Sequence, residues 1–204
     1  MVIIGLTGGS GAGKGYVCRI FAEYGIPSVD ADEVYRIVSA RGMPCLEELR
    51  ECFGDGILTV DGELDRRVLA DIVFRRGAED KLASLNKIAH KYVIEYCERW
   101  ISERERIGDY AVIIDAPQLF ESGLNKRCDL VVSVIASREC RVGRITERDG
   151  ISRERAEKRI DSQYDDAFFA ANSDYVVESG NGSDVRSAVA AIVERVKLME
   201  RGKV

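Results

Sequence analysis

A glycine-rich segment near the start of the chain constrains the fold more than any other feature. Residues 8–14 read GGSGAGK and fit the pattern G-x-x-x-x-G-K, between an apolar run at 2–6 and a helical pattern that begins after Lys14. Glycines let backbone N–H groups approach a phosphate, and the start of a helix adds unpaired N–H groups and the positive end of its dipole. Lys14 supplies a point charge for the outer phosphates. The segment predicts a phosphate-binding loop in preference to a glycine-rich turn without a ligand.

The position after the lysine departs from the usual form of this loop. It is normally Ser or Thr, whose hydroxyl binds Mg²⁺, but here it is Gly15, followed by Tyr16. Mg²⁺ keeps much of its hydration, so waters, nucleotide phosphates and nearby carboxylates can still hold it. We therefore expect the loop to bind phosphate without ligating a metal directly.

Short apolar runs alternate with helical patterns along most of the chain. The candidate strands are 2–6, 26–29, 111–114, 130–135 and 175–177, and the clearest outer helical patterns are 33–40 and 185–196. Continuous apolar strands suit a parallel sheet covered on both faces. Alternation of strands and helices favours an open α/β sheet with right-handed crossovers, which is the fold class that we predict.

Residues 42–109 interrupt this alternation. Turn-rich pieces are followed by two helical patterns, at 68–73 and 82–100, which we interpret as a helical insertion that projects from the sheet. Two side chains in this insertion are candidate substrate contacts. Arg66 either binds an acceptor phosphate or pairs with its acidic neighbour, and His90 either contacts substrate or has a structural role.

Carboxylates follow two of the candidate strands. In an open α/β sheet, ligands bind at the carboxyl ends of the strands. Asp32 is favoured as a general base or metal contact, whereas Asp30 is favoured as the cap of the next helix. Asp115 is either a metal-associated carboxylate or part of a strand-end turn, and Glu121 leaves the same two alternatives open.

A basic stripe follows the fourth strand. Between residues 138 and 159 there are eight basic and five acidic residues, in a chain whose net charge is −5. Arg141, Arg144 and Arg148 recur at a spacing of three and four, which places them along one helical face. The stripe is either a solvated surface or, as we favour, an arginine lid that stabilises charge on a transferring phosphoryl group.

Composition excludes several other classes of protein. A chain of 204 residues with 46% hydrophobic residues can bury a core without disulfides, and its net charge gives no general attraction to nucleic acid. Neither a membrane span nor a secretory signal is expected from the apolar runs. Six scattered cysteines without a C-x-x-C pair favour reduced thiols in a cytoplasmic protein, and a single histidine leaves no common zinc spacing.

Taken together, these motifs resemble the dephospho-coenzyme A kinase family over about residues 2–180. The pieces that carry the resemblance are LTGG at 6–9, VDAD at 29–32, FG at 53–54, DGELDR at 61–66, LN at 85–86 with His90, LFESGL at 119–124, RDG at 148–150, RI at 159–160 with Gln163, and ANSD at 171–174. Two segments depart from the family's pattern, namely Gly15-Tyr16 in place of the usual hydroxyl pair and PQL at 117–119 in place of the commoner PLL.

The resemblance implies a three-layer P-loop kinase fold with a five-stranded parallel sheet. It implies one domain over 1–204, with its core at 1–41 and 110–204, a helical CoA-binding insertion at about 42–109 and a lid at about 141–165. It also implies ATP-dependent phosphorylation of the ribose 3′-hydroxyl of dephospho-CoA, the last step of coenzyme A biosynthesis, with Mg²⁺ as cofactor.

The same resemblance assigns site residues. Lys14, Arg144 and Arg148 match the loop lysine and lid arginines, and Asp32 matches the proposed base. The expected ATP contacts are Gly8, Gly9, Gly11, Ala12, Gly13, Lys14, Gly15 and Tyr16. The expected acceptor contacts are Asp32, Arg66 and His90, and the candidate metal contacts, through water, are Asp32 or Asp115.

Other interpretations of the sequence stay open. One is a nucleoside or nucleotide kinase of the same fold, and another is a nucleotide-operated switch, which the missing hydroxyl at Gly15 keeps in consideration. A third is a catalytically weak relative of the kinases. We expect small-molecule substrates, no nucleic-acid or membrane partner, and a monomer or small homo-oligomer.

Overall fold

A five-stranded sheet organises the residues that the computed structural model describes, 1–202. Its strands are β1 (Val2–Thr7), β2 (Ser28–Asp30), β3 (Ala111–Asp115), β4 (Leu130–Ile135) and β5 (Tyr175–Glu178), in the spatial order β2-β3-β1-β4-β5. β1 pairs in parallel with β3 and with β4, and β4 pairs in parallel with β5. All five strands expected from the sequence are present, with small shifts at their ends.

Nine α-helices accompany the sheet in this described part of the chain. They are α1 (Lys14–Glu23), α2 (Ala31–Val38), α3 (Pro44–Phe53), α4 (Arg66–Val73), α5 (Glu79–Ile107), α6 (Arg138–Asp149), α7 (Arg153–Asp161), α8 (Asp166–Ala171) and α9 (Val185–Arg201). None of the helices in residues 1–202 combines the length and apolarity that a bilayer crossing needs.

The main core lies between the sheet and helices α1 and α9. Alternate residues of β1 (Val2, Ile4 and Leu6) are fully buried against the apolar faces of both helices. The apolar positions of α9 recur at helical spacing, so one stripe faces the sheet. This packing confirms the α/β class with helices flanking a parallel sheet, and it fixes the helix that begins directly after the glycine-rich loop.

The described residues form two compact units. One consists of Met1–Val29 with the chain from Glu103 onward, and the other is Asp30–Ser102. The second unit is helical, but its limits differ from the insertion expected at 42–109. It begins earlier because α2 packs against α3 and so belongs with the helices that follow it.

Two expectations for this helical unit were wrong in detail. The sequence indicated two helices between 42 and 109, but α3 is a third, which begins at Pro44, a residue compatible with a first helical turn, and buries Cys45, Leu46 and Leu49. Helix α2 begins at Ala31 rather than residue 33. The Asp30 carboxylate accepts hydrogen bonds from the amides of residues 32 and 33, so the helix starts directly after it.

The basic stripe forms a helical hairpin. Helix α6 is capped by Gly150, which adopts the left-handed conformation, and α7 folds back against it. Val142, Ile145, Ala156 and Ile160 form a small apolar core between the two helices. Ion pairs from Arg138 to Asp161 and from Arg153 to Glu139 join α6 and α7 at the surface. The region expected to be a lid is therefore a compact hairpin in the structure.

Candidate active site

The glycine-rich loop leaves the carboxyl end of β1 and enters α1. Gly8 has a φ of +138°, and a Cβ at this position would lie 2.2 Å from the carbonyl oxygen of Val134 on β4. Only glycine fits so close to the neighbouring strand. Gly13 is left-handed and is the last residue before α1, so the free N–H groups at the start of that helix belong to the loop.

Lys14 is the first residue of α1, and its side chain turns back over the loop. Its Nζ donates a hydrogen bond to the carbonyl oxygen of Gly8 at 3.0 Å. The ammonium group therefore lies across the loop from the helix to the strand. A positive charge above a row of glycines at a helix N-terminus is an arrangement that binds phosphate.

Arg144 from α6 holds the end of the loop. Its Nη1 donates to the carbonyl oxygens of Gly11 at 3.1 Å and Ala12 at 3.2 Å. The same guanidinium donates to the side chain and the carbonyl oxygen of Ser179, which follows β5. The Ser179 hydroxyl donates in turn to Ala12. Arg144, expected as a lid residue, thus contacts the loop itself in this structure.

Arg148 lies in a different environment. It is exposed and forms a two-bond pair with Asp149, at 2.7 and 2.9 Å. Asp149 also accepts a hydrogen bond from Arg159. These guanidinium groups lower the pKa of Asp149 to about 2. The structure therefore brings Arg144 to the loop, whereas the Arg148 side chain is bonded at the end of α6.

Two residues that the sequence analysis named, without assigning them to the loop, contact it directly. Arg141, on α6, is 4% exposed, and its Nε donates to the carbonyl oxygen of Ser10 at 3.0 Å. Gln163, after α7, accepts a hydrogen bond from the amide of Ser10 at 2.8 Å through Oε1. Burial lowers the pKa of the Arg141 guanidinium. No local pattern indicates these contacts, because 131 and 153 residues separate the partners.

Asp115 ends β3 directly beside β1, where it pairs in register with Leu6. The thiol of Cys18, one helical turn after Lys14, donates a hydrogen bond to its Oδ2 at 3.5 Å. Burial, together with the Asp115 charge, raises the pKa of this thiol, so Cys18 stays a donor. All six cysteines lie in the described part of the chain and are free thiols. Asp115 is thus a carboxylate at the carboxyl edge of the sheet, as the sequence indicated.

A pocket of about 660 Å³ opens beyond the carboxyl ends of β4 and β5. Its lining residues include Gly180 and Asn181 and three acidic residues, Glu139, Asp166 and Glu178. A triphosphate would be repelled by these carboxylates, but ribose hydroxyls and a nucleobase can donate hydrogen bonds to them. The pocket therefore suits the nucleoside part of a ligand.

The helical unit carries the remaining candidate residues. Asp30 is the cap of α2, as expected, and Asp32 lies in the first turn of that helix, so its carboxylate is not the one that caps it. Asp65 caps α4, and Arg66 donates to the Ser39 hydroxyl at 3.0 Å and stacks on the ring of Tyr35. The alternative in which Arg66 pairs with Asp65 is therefore not supported.

His90 lies half-buried on the long helix α5. Next to it, Lys91 and Tyr92 both donate to the carboxylate of Glu48 on α3, at 2.7 and 2.8 Å. These bonds lower the pKa of Glu48 and join α5 to α3. The helix that bears His90 is thereby fixed in the unit.

Comparison with known proteins identifies the relatives of this chain. The family model for dephospho-CoA kinase matches residues 2–184. A dephospho-CoA kinase from Fusobacterium nucleatum is 39% identical over 181 residues, covering 89% of this chain and 91% of that protein. One from Corynebacterium glutamicum is 38% identical over 197 residues, covering 96% and 98%.

Structural similarity extends over the same length. The crystal structure of TT1252 from Thermus thermophilus aligns with a TM-score of 0.78 and 28% sequence identity, covering 97% of each chain. The sheet order, the loop after β1 and the sequence match agree with one another. The chain belongs to the dephospho-CoA kinase family.

Proposed function

We propose that Gly8–Lys14 binds the phosphates of ATP and that Asp32 accepts the proton of the acceptor, so that the chain phosphorylates the ribose 3′-hydroxyl of dephospho-CoA. Membership of the family makes the chain an ATP-dependent kinase of coenzyme A biosynthesis. The observation that carries the residue assignment is the loop itself, with Lys14 Nζ across it and the start of α1 at its end.

The donor nucleotide is held by two neighbouring features. The loop amides and Lys14 bind the β- and γ-phosphates, with Gly15 and Tyr16 next in the first turn of α1. The pocket beyond β4 and β5 takes the nucleoside, since Ser179, which touches the loop, is followed directly by Gly180 and Asn181 of the pocket lining. ATP thus extends from the loop toward the carboxyl end of β5.

Phosphoryl transfer needs positioning and charge more than covalent chemistry. Asp32 orients the 3′-hydroxyl and takes its proton as the oxygen attacks the γ-phosphorus, and ADP leaves. Arg66 and His90 contact the acceptor. Arg144 supplies positive charge next to the loop, and Arg148 reaches the γ-phosphate by exchanging its bond to Asp149.

The residues present fit a magnesium ion that enters with ATP better than one held by the protein alone. Position 15 has no hydroxyl, and residues 1–202 contain no group of three or more His, Cys, Asp or Glu side chains able to hold a metal. Mg²⁺ binds through one or two carboxylates, waters and phosphates. Asp115 at the end of β3, or Asp32, would contact it through water. The ion would neutralise phosphate charge.

A screen of acceptors tests the proposal. The purified chain is given ATP and, in separate reactions, dephospho-CoA, nucleosides or nucleoside monophosphates, and ADP is measured. We expect ADP formation with dephospho-CoA at a rate well above the others. Transfer to a nucleoside or nucleotide in preference would assign the chain to the second kinase class, and slow hydrolysis that ignores every acceptor would indicate a switch.

Two further expectations accompany this function. A cytoplasmic location and a monomer or small homo-oligomer stay predictions of the sequence. Size-exclusion chromatography with light scattering measures the second directly, and a large assembly would contradict it.

A further inference from the structure

Arg141 differs from most of the arginines of its helical hairpin. Arg138, Arg148, Arg153 and Arg159 form ion pairs at the surface, with side chains 43–60% exposed. Arg141 is almost fully buried, at 4%. A charged group in this position is costly unless its donors are satisfied. The hydrogen-bond partners of Arg141 therefore indicate its structural role.

Those partners are the backbone of the phosphate loop and the chain after α7. Nε donates to the carbonyl oxygen of Ser10 at 3.0 Å, and Nη2 donates to Oε1 of Gln163 at 3.3 Å. Nη1 is 3.4 Å from a carboxylate oxygen of Asp166, at the start of α8. The same Gln163 oxygen accepts the amide of Ser10 at 2.8 Å. Both backbone polar groups of one loop residue are thus bonded to side chains from α6 and the α7–α8 turn.

The loop sequence leaves room for this arrangement. A Cβ on Gly9 would lie 2.1 Å from Nη2 of Arg141, and a Cβ on Gly11 would lie 2.7 Å from the backbone carbonyl oxygen of Arg141. The approach of the α6 backbone therefore requires glycine at Gly11, and glycine at Gly9 leaves room for the Arg141 guanidinium. The loop and α6 are therefore closely matched in shape.

We infer that Arg141 is a positioning residue for ATP, acting together with Gln163. The pair holds Ser10 in the conformation that binds phosphate, so the loop is ordered before the nucleotide arrives. The loop then loses less conformational freedom when the nucleotide binds, and its backbone amides stay oriented toward the phosphates during transfer. This inference rests on the proposed role of Gly8–Lys14 in binding ATP.

Removal of either side chain tests the inference. In Arg141→Met and Gln163→Met we expect the Kd for ADP, measured by calorimetry, to rise about 10- to 100-fold, the range for a hydrogen bond to a charged group. The KM for ATP rises in parallel, whereas the KM for dephospho-CoA stays near that of the wild type. Arg141→Lys, which can reach Ser10 but cannot keep the planar contacts, recovers part of the affinity.

The two side chains act on one loop residue, so their effects should not add. The double variant Arg141→Met/Gln163→Met is expected to bind ADP about as weakly as the worse single variant. Arg195→Met, which removes an exposed charge from α9, is the matched control and should bind like the wild type. Should Arg141→Met fail to fold, the half-buried Gln163→Met carries the test.

Three results would overturn the inference: unchanged ADP affinity in both single variants, an equal rise in KM for ATP and dephospho-CoA, or effects that add fully in the double variant. Failure of the proposed function gives a different result. If the wild-type protein does not bind ADP, the proposed role of the loop is wrong. If the wild type and the variants bind ADP equally tightly, only the proposed role of Arg141 and Gln163 is wrong.

Discussion

The phosphate loop and the helical unit are each stabilised by a different kind of contact. The loop is fixed by buried or half-buried bonds between residues far apart in the chain, such as Arg144 to Gly11 and Ser179 to Ala12. The helical unit Asp30–Ser102 is held by buried apolar side chains such as Leu49 and Leu69, together with helix caps and partly exposed bonds such as Lys91 to Glu48. The shape of the loop is thus set by contacts with α6 and with the residue after β5. Changes in the two regions should therefore separate nucleotide binding from transfer to the acceptor.

Asp32→Asn is expected to have the largest effect on turnover. Loss of a positioned general base lowers kcat by about 10²–10⁴-fold. ADP affinity should change little, because the loop is untouched. Steady-state kinetics and calorimetric ADP binding measure the two quantities.

Asp30→Asn is the matched control for this change. An asparagine caps a helix about as well as an aspartate, so α2 keeps its start and kcat should stay near that of the wild type. If kcat fell by a similar factor in both variants, the negative charge of this region would be responsible, and not a base at Asp32.

Lys14→Ala is the corresponding change on the nucleotide side. We expect kcat/KM for ATP to fall by about 10²–10³-fold, in the range for loss of one preorganised charge-stabilising donor. In contrast to Asp32→Asn, ADP binding should weaken markedly as well. An Ala variant that binds ADP like the wild type would show that Lys14 does not contact the phosphates.

Two glycine variants compare crowded and open positions near the loop. Gly11 has a φ of +76° and faces the backbone of Arg141, so Gly11→Ala should lower the free energy of unfolding by about 1–3 kcal/mol. A Cβ at Gly15, in the first turn of α1, meets nothing within 4 Å, so Gly15→Ala should raise it by about 0.4–1 kcal/mol. Urea unfolding measures both. Equal destabilisation would contradict the packing described for the loop.

The smallest effect is expected from Asp149→Asn at the end of α6. The folded state lowers the pKa of Asp149 from 3.8 to about 2, so its stabilising contribution is present above pH 3.8 and is lost as pH falls toward 2. The difference in Tm between wild type and variant should therefore be small at neutral pH and shrink further in acid. A difference in Tm that grows as the pH is lowered would contradict the stabilising role of the Asp149 charge.

The sequence predicted the sheet unit better than the helical unit. The apolar strands and the GGSGAGK segment are local, contiguous patterns, and both appear where expected. Helix α3 was missed because its apolar stripe, at Cys45, Leu46 and Leu49, is short and is followed directly by the turn signals at 53–56. The cap formed by Asp30 was correctly favoured over a role in catalysis, since a carboxylate directly before a helical pattern is a local signal.

The contacts of the basic stripe were beyond sequence reasoning. The spacing of Arg141, Arg144 and Arg148 predicted a shared face on α6, but not that Arg141 is buried at Ser10 while Arg148 pairs with Asp149. Those differences depend on where α6 lies against a loop more than a hundred residues earlier. The roles of Asp32, Arg66 and His90 stay predictions, because they concern chemistry with an acceptor.

Transfer of label from γ-³²P-ATP to dephospho-CoA tests the central claim most directly. The account predicts that label appears on the ribose 3′-oxygen of the product one-for-one with ADP, and that the rates of both fall together in Lys14→Ala. Release of labelled inorganic phosphate with no labelled coenzyme A, at a rate indifferent to dephospho-CoA, would contradict it.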